Sequence, residues 1–349
     1  MPPKAEYDKH ISDIFETAYL TNQGIKLQRL EDELKSYLGA NHLQCVANGT
    51  LALQLALKAL DIEDGEVITT PFSYVATVSA ILLQRCTPVF VDIAPGTFMI
   101  DADKIEEKIT AKTKAILPVH TFGYACDIKK IQDISDRHDL KVIYDCAHAF
   151  ASRYRGQSLL TYGDIAICSF HATKPFHTIE GGACISNNAA ISAKIDVIKR
   201  FGHIYDDHYC PGLNAKMSEA HAAMGLAVLP YVDRITLERA ELAALYDTLL
   251  GGTIQRYSPQ EHIAYNYAYY PVLFESEAQL VKVFEALNNE NIYPRRYFYP
   301  SLNKLPYLHD TPSCPICEDV AIRVACLPLY SSLGKDNVRR IAGFVRENL

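Results

Sequence analysis

The stretch that decides the fold is GDIAICSFHATK, residues 163–174. Residues 165–169 are a short apolar run of the kind that forms a buried β-strand, and polar residues follow it directly. Lys174 therefore lies just beyond the carboxyl end of a predicted strand, which is where open α/β sheets bind their ligands. A lysine in a loop is most often a solvated surface charge, so the rest of the chain has to decide its role.

Short apolar runs alternate with helical patterns over the first two thirds of the chain. Residues 114–120, 141–145 and 182–186 are almost continuously apolar, which is typical of strands buried on both faces. This alternation predicts an α/β fold with a mostly parallel sheet covered by helices. A long helical pattern from Tyr231 leads into a smaller α+β region. We therefore predict a large domain over residues 1–230 and a small C-terminal domain over residues 231–349.

The composition limits the class of protein. The chain has 349 residues, of which 49% are hydrophobic and 21% charged, which is typical of a globular protein with a large core. The formal net charge of -7 argues against a nucleic-acid binder, which would carry a basic stripe. No apolar run approaches the roughly 18 residues that span a bilayer, and the charged start lacks the apolar segment of a signal peptide. We expect a cytoplasmic protein with neither a nucleic-acid nor a membrane partner.

Most of the ten cysteines lie singly in apolar strand-like runs, as buried free thiols do in reducing compartments. Cys314 and Cys317 form the one close pair and could be half of a zinc site or a redox motif. No second pair and no spaced histidines accompany them, so we expect no bound metal.

Three further segments carry polar or aromatic residues at predicted element ends. Asn48, Gly49 and Thr50 precede a helix whose free N–H groups suit a phosphate, although the same residues also make an ordinary helix cap. Asp145 ends a buried strand, where an ionised carboxylate needs a cationic partner or several hydrogen bonds. Tyr74 lies at a strand-to-helix turn, where it could cover a flat ring or be a packed core tyrosine.

These features together match the needs of pyridoxal phosphate. The amine of Lys174 can form a Schiff base with the aldehyde of this cofactor, and Asp145 can keep its ring nitrogen protonated so that the ring acts as an electron sink. The helix start can hold the phosphate. We therefore predict a pyridoxal phosphate enzyme in which Lys174 and Asp145 are catalytic.

The chain resembles the DegT/DnrJ/StrS sugar aminotransferases, which are fold-type I pyridoxal phosphate enzymes of the aspartate aminotransferase kind. The resemblance extends almost from end to end. It rests on these segments, in this order: LTNQG, NGTLAL, TPFSYVAT, PVFVDI, PVHTFG, YDCAHAF, GDIAICSFHATK, EGG, GLNAKMSEAHAAMGL and RRYFYP.

The resemblance implies roles for the matching residues around the cofactor ring. Lys174 corresponds to the lysine that carries the cofactor, and Asp145 to the partner of the ring nitrogen. Tyr74 corresponds to the aromatic residue that stacks on the ring. His148 is a polar contact to the ring at a position where many relatives have glutamine.

The resemblance also implies how the phosphate is bound. Within one chain it would be held by three residues: Gly49, Thr50 and Ser169. Asn214 corresponds to an asparagine that reaches the phosphate bound in the other subunit. This correspondence implies a homodimer with shared active sites.

The implied activity is transfer of an amino group from L-glutamate to a nucleotide-linked keto-sugar, with the cofactor alternating between pyridoxal and pyridoxamine phosphate. The motifs are most similar to those of members that aminate dTDP-linked 4-keto-6-deoxy sugars at C4. Members that aminate dTDP-3-keto-6-deoxyhexoses at C3 share much of the pattern. Related sugar 3-dehydratases have histidine in place of the lysine, so Lys174 favours transamination, although the neighbouring imidazole of His171 keeps dehydration as an alternative. A non-catalytic, regulatory pyridoxal phosphate binding protein is the alternative from another class.

A dTDP-sugar carries a diphosphate, which needs local cations on a chain of net charge -7. Arg295 and Arg296 have guanidinium groups that suit diphosphate oxygens, and Tyr297 and Tyr299 offer flat surfaces for a base. An exposed edge strand is the alternative interpretation of this segment. We predict that at least one of these four residues contacts the nucleotide and that the sugar lies near two histidines: His120 and His171.

Overall fold

The computed structural model describes residues 1–349. The helices are α1 (Lys4–Thr17), α2 (Ile25–Leu38), α3 (Gly49–Ala59), α4 (Val75–Leu83), α5 (Ile128–His138), α6 (Ala189–Ile198), α7 (Glu219–Val228), α8 (Val232–Leu250), α9 (Glu277–Asn289), α10 (Pro315–Arg323) and α11 (Lys335–Asn348). The strands are β1 (His42–Val46), β2 (Glu66–Thr69), β3 (Thr87–Phe90), β4 (Thr113–Leu117), β5 (Lys141–Asp145), β6 (Arg153–Tyr154), β7 (Gln157–Ser158), β8 (Ile165–Ser169), β9 (Gly182–Ser186), β10 (His203–Ile204), β11 (Asp207–His208), β12 (Ile263–Ala264), β13 (Tyr270–Leu273) and β14 (Val324–Leu327).

A seven-stranded sheet lies at the centre of the large N-terminal part, with strand order β1-β9-β8-β5-β4-β2-β3. Strands β8, β5, β4, β2 and β3 are parallel to one another. Strand β9 is antiparallel to both of its neighbours, β1 and β8. The α/β fold with a mostly parallel sheet, predicted from the alternation of strand and helix patterns, is confirmed.

Alternate residues of the central strands enter two hydrophobic cores on opposite faces of the sheet. Ile143 and Ile167 pack into the core that α3, α4 and α6 line. Their neighbours Tyr144 and Ala166 pack into the core that α2, α5 and α7 line. Because both faces of these strands are buried, the sequence of each strand is apolar without a period of two.

The site is positioned by the carboxyl ends of four strands. Since β9 is the one antiparallel strand of the sheet, β1, β8, β5 and β2 all end at the same edge. The residues at or just beyond these four ends are Gly49, Ser169, Asp145 and Tyr74. Residues that are far apart along the chain therefore meet at one edge of the sheet.

The C-terminal part has a hydrophobic core of its own, formed by α8, α9, α11, β13 and β14. Helix α8 confirms the long helical stretch predicted from Tyr231, and it ends at Leu250, before a pair of glycines. The proposed domain boundary at residues 230–231 falls just before this helix. No helix of the protein combines the length and the apolar composition needed to cross a membrane.

All ten cysteines are free thiols, and nine of them are buried. Cys314 and Cys317 lie at the start of α10, where the Asp92 carboxylate accepts hydrogen bonds from the backbone N–H groups of Ile316 and Cys317. Burial raises the pKa of Cys314 to about 12, so this thiol is protonated at neutral pH. In this structure the pair is part of the helix start.

Candidate active site

A cavity of about 400 Å³ opens at the carboxyl edge of the sheet. It lies between the large N-terminal part and the segment that joins α9 to α10. Ten of the predicted site residues line it: Gly49, Thr50, Tyr74, Asp145, His148, Ser169, His171, Lys174, Arg295 and Tyr297. The fold thus brings together most of the residues that the sequence singled out.

Asp145 is the last residue of β5, and 5% of its surface is exposed. Its Oδ2 accepts a hydrogen bond from the Thr77 hydroxyl (3.1 Å), and its Oδ1 accepts one from the backbone N–H of Ala147 (3.0 Å). Burial raises the pKa of this carboxyl, while the two hydrogen bonds and the charge of Lys174 lower it. A cation in the cavity would stabilise the ionised form, because a buried carboxylate needs a compensating charge.

The amino-terminal end of α3 faces the same cavity. Asn48 caps this helix by accepting a hydrogen bond from the backbone N–H of Leu51 (2.8 Å), while the N–H groups of the first turn at Gly49 and Thr50 have no partner within the helix. A Cβ atom at Gly49 would lie 3.0 Å from the Cβ of Ser169, which is tighter than an ordinary contact, so glycine favours the close approach of the helix end to this strand. Free N–H groups, the helix dipole and the hydroxyls of Thr50 and Ser169 are the features that an anion-binding site requires.

Lys174 follows β8 in a tight turn, in which its N–H donates to the carbonyl of His171 (2.9 Å). Its side chain is partly buried and lines the cavity that Asp145 also lines. Burial lowers the pKa of this amine to about 8, against the opposing influence of Cys168, Asp145 and Cys326. A larger fraction of the amine is therefore neutral near pH 7 than for an exposed lysine, which suits a base or a nucleophile.

His148 is buried on the cavity wall, and its Nδ1 accepts a hydrogen bond from the backbone N–H of Phe122 (3.1 Å). Its ring lies nearly parallel to those of Phe122 and Phe298, with ring centroids 6.0 and 5.5 Å away. Burial, followed by the charge of Lys174, lowers the pKa of His148 well below its usual value, so the ring is neutral. The proton of the neutral ring is then on Nε2, which is free to donate to a bound molecule.

Polar and charged groups surround the mouth of the cavity. His171 Nε2 lies 3.5 Å from Glu180 Oε1, and His171 Nδ1 lies 2.9 Å from the hydroxyl of Thr173. Arg295 is exposed at the cavity wall and makes no salt bridge. Its guanidinium is therefore available to an anionic ligand.

Two residues of the predicted nucleotide-binding segment, residues 295–299, lie outside the cavity. Arg296 forms a salt bridge with Glu277 (2.7 Å) and stacks over the ring of Tyr299, with 3.6 Å between the guanidinium carbon and the ring centroid. Neither Arg296 nor Tyr299 lines the cavity that Arg295 and Tyr297 line. Of the four predicted contacts in this segment, Arg295 and Tyr297 therefore remain at the cavity.

The position of His120 does not fit the predicted contact with a sugar. Its side chain is fully buried, its Nδ1 accepts a hydrogen bond from the backbone N–H of Cys126 (3.1 Å), and its ring stacks on Tyr144 at 4.7 Å. Burial lowers the pKa of His120 to about 3, so it is a neutral core residue outside the cavity lining. The prediction for His120 is corrected on this ground.

Asn214 is exposed and lies outside the cavity lining of its own chain. Its Oδ1 accepts a hydrogen bond from Lys216 Nζ (2.5 Å), and its backbone bridges to Arg200. Asn214 therefore has no contact with the cavity of its own chain, and its contact with a phosphate in another subunit stays a prediction.

Sequence reasoning missed three side chains that complete the site. Thr77 bonds Asp145, Glu180 lines the mouth, and Tyr269 bonds Lys174 Nζ through its hydroxyl (2.8 Å). The first two lie in segments that had been singled out, one helical turn beyond Tyr74 and directly before a glycine pair. Tyr269 lies in a run of tyrosines with no local signal of its role.

Known proteins similar to this chain identify its class. The model of the DegT/DnrJ/EryC1/StrS aminotransferase family matches residues 3–346. The dTDP-4-amino-4,6-dideoxy-D-glucose transaminase of Shigella dysenteriae is 40% identical to the chain, and the alignment covers 99% of this chain and 96% of the relative. The enzyme of the same name from Escherichia coli is also 40% identical, with coverages of 98% and 95%. GDP-perosamine synthase of Vibrio cholerae is 31% identical, over 97% of this chain and 95% of its own.

Solved structures are similar over the whole chain. DesI, crystallised in the presence of its TDP-sugar product, superimposes with a TM-score of 0.93 at 30% identity, over 99% of this chain and 90% of its own. Helicobacter pylori PseC, an aminotransferase involved in the biosynthesis of pseudoaminic acid, superimposes with a TM-score of 0.92 at 26% identity, over 98% of this chain and 96% of its own.

The fold and its relatives define a fold-type I pyridoxal phosphate dependent aminotransferase. The chain belongs to the DegT/DnrJ/EryC1/StrS aminotransferase family, and the protein is a sugar aminotransferase. The predicted family, fold class and enzymatic nature are confirmed. The alternative of a non-catalytic regulatory protein is not supported.

Proposed function

We propose that the protein transfers an amino group from L-glutamate to C4 of dTDP-4-keto-6-deoxy-D-glucose, giving dTDP-4-amino-4,6-dideoxy-D-glucose. The observation that carries the proposal is the cavity in which the partly buried amine of Lys174 and the buried carboxylate of Asp145 line one space. The choice of sugar is supported by the two relatives at 40% identity, which are named for this product.

The residues of the cavity fit pyridoxal phosphate, which when bound supplies an aldehyde that condenses with amines and a ring that acts as an electron sink. The N–H groups of Gly49 and Thr50, with the hydroxyl of Ser169, would hold the phosphate at the start of α3. Asp145 would face the ring nitrogen and keep it protonated. Tyr74, which is 59% exposed at the cavity wall, would cover a face of the cofactor ring with its own ring.

His148 would donate from Nε2 to the cofactor ring. Lys174 would carry the cofactor between turnovers. As a free amine, Lys174 would take the proton from the α-carbon of glutamate and, in the second half of the reaction, return a proton to the sugar carbon. With a pKa of about 8, roughly a tenth of the amine is neutral and able to accept a proton at pH 7.

The position of amination tests the choice of substrate. We expect that the enzyme, supplied with glutamate, aminates dTDP-4-keto-6-deoxyglucose at C4 and forms no aminated product from its 3-keto isomers. Two-dimensional NMR of the product identifies the carbon that bears nitrogen. A product aminated at C3 contradicts the proposed sugar and retains the chemistry of Lys174, and a dehydrated sugar without nitrogen contradicts transamination itself.

The unpaired guanidinium of Arg295 makes it the proposed ligand of the substrate diphosphate. We expect Arg295→Ala to raise KM for the nucleotide sugar about tenfold or more, because a hydrogen bond to a charged group contributes roughly 1.5–3 kcal/mol. The half-reaction with glutamate alone is expected to keep its rate. Steady-state kinetics and single-turnover absorbance measure the two quantities.

Arg296→Ala is the matched control for this experiment. Arg296 is the next residue, but its guanidinium is engaged by Glu277 and by the carbonyl of Ile322 (3.2 Å), outside the cavity. We expect KM for the nucleotide sugar to change less than about twofold in this variant. Equal KM values for the Arg295 variant and the wild type would assign the diphosphate to another part of the cavity.

We also propose a homodimer in which Asn214 reaches the phosphate bound by the other chain. The proposal is supported by the exposure of Asn214 outside the cavity of its own chain. Sedimentation equilibrium measures the assembly, and a fully active monomer contradicts it. We place the enzyme in the cytoplasm, because ten free thiols suit a reducing compartment.

A further inference from the structure

The amine of Lys174 has one side-chain hydrogen-bond partner, the hydroxyl of Tyr269, at 2.8 Å. The two residues are 95 positions apart, and Tyr269 directly precedes β13 of the C-terminal part. The contact therefore joins the reactive residue of the large part to a phenol of the smaller one.

The segment that carries Tyr269 is held firmly against the large part. Asn266 is fully buried, and its Nδ2 donates to the carbonyls of His148 and Phe150, both at 2.8 Å. Its Oδ1 accepts from the backbone N–H of Ala268 (3.0 Å). Because His148 belongs to the cavity wall, Asn266 fixes the backbone next to Tyr269 relative to the site.

Aromatic neighbours fix the ring of Tyr269 as well. Its centroid lies 4.4 Å from that of His148, 5.6 Å from that of Phe122 and 5.9 Å from that of Tyr297. Burial raises the pKa of Tyr269 well above its usual value. The phenol is therefore neutral and keeps a proton that it can donate.

Lys174 lies between two cavities. It lines the cavity that contains Asp145 and also a second cavity of about 400 Å³, which Arg295 and Tyr297 share and which Tyr269 lines. Tyr269 does not line the first cavity. The hydrogen bond to Tyr269 thus joins the amine to a residue that lines the second cavity alone.

We propose that Tyr269 is a positioning residue that holds the Lys174 amine whenever this amine is not bonded to the cofactor. The proposal rests on the proposed transaminase function, in which Lys174 must be a free amine while it moves protons. A phenol hydroxyl accepts a hydrogen bond from an ammonium group and donates one to a neutral amine. Tyr269 can therefore hold Lys174 in both protonation states without a change of partner.

Titration of Lys174 in the cofactor-free protein tests the hydrogen bond without any substrate. The other titratable groups that influence this amine stay the same in a Tyr269→Phe variant: Asp145, His148, Cys168 and Cys326. Hydrogen bonds to charged groups are roughly twice as strong as neutral ones, so loss of the hydroxyl destabilises the ammonium more than the amine. We expect the pKa of Lys174 to fall by about half to one pH unit in the variant.

The measurement is the pH dependence of the Lys174 ¹³Cε resonance, which is identified by its loss in Lys174→Arg. Tyr330→Phe is the matched control, because Tyr330 lines the same second cavity and makes no hydrogen bond to Lys174. We expect this control to titrate like the wild type. An unchanged lysine pKa in Tyr269→Phe overturns the proposal.

Proton transfer in the cofactor-loaded enzyme gives a second readout. We expect Tyr269→Phe to slow exchange of the glutamate α-hydrogen with solvent deuterium about tenfold, with an unchanged KM for the nucleotide sugar, because the amine is less well oriented. If the glutamate α-hydrogen exchanges in Tyr269→Phe at the rate of the wild type, the proposal is also overturned. Failure of the wild type to aminate a dTDP-linked keto-sugar would contradict the proposed function alone, since the lysine titration does not depend on it.

Discussion

Replacing Lys174 by alanine is expected to lower transaminase turnover by about 10⁴-fold or more, since one side chain serves both as nucleophile and as proton carrier. Lys174→Arg is expected to be equally inactive, because a guanidinium stays protonated at neutral pH and cannot act as a base. Both variants are expected to remain folded. Turnover with glutamate and a dTDP-linked keto-sugar measures the loss, and circular dichroism checks the fold.

A chemical readout identifies the lysine independently of activity. Incubation of the wild type with pyridoxal phosphate followed by borohydride is expected to fix the cofactor on one peptide, the one that contains Lys174. The two variants are expected to lack this label. A stable label on another lysine, or substantial turnover by Lys174→Ala, would show that the nucleophile lies elsewhere.

Replacing Asp145 by asparagine is expected to lower turnover by about 100-fold, since removal of one partner of a buried charge pair costs on the order of 3 kcal/mol. The amide has nearly the same shape but cannot balance a protonated ring nitrogen. Covalent attachment of the cofactor to Lys174 is expected to persist. Single-turnover rates with glutamate measure the effect, and a rate close to that of the wild type would make Asp145 a structural carboxylate.

Asp145→Asn is expected to lower turnover but to raise the stability of the cofactor-free protein. Burial raises the folded-state pKa of Asp145, so the ionised carboxylate destabilises the fold at pH values above its unfolded pKa. Asparagine removes this cost, and thermal unfolding at pH 7 should then occur at a higher temperature. Asp92→Asn is the control, because Asp92 caps α10 away from the cavity and its replacement should lower stability without affecting proton transfer.

Much of the site follows from local features of the sequence. Asp145 ends a short apolar run, and Lys174 comes shortly after another one. Such runs form buried strands, so the positions of both residues near strand ends could be predicted locally. The Gly49–Thr50 pair begins a strong helical pattern. Because parallel strands end at a common edge, these local features also predicted that the residues meet.

Local sequence features could not distinguish adjacent residues of the same type. Arg295 and Arg296 are both guanidinium groups in one short segment, yet one lines the cavity and the other pairs with Glu277. The difference arises because α9, which carries Glu277, packs next to one of the two side chains. His120 was misjudged for a similar reason, since stacking on Tyr144 places its ring in the core.

The sequence by itself determined the fold class, the family and the lysine and aspartate at the strand ends, because strand burial, helix starts and strand ends depend on residues close together in the chain. Only the tertiary structure decided which of the two arginines makes no salt bridge and which phenol forms a hydrogen bond with the Lys174 amine. Tyr269 reaches Lys174 from 95 positions away because Asn266 anchors its segment beside His148. Such contacts depend on how distant elements pack, and no local pattern of residues records them.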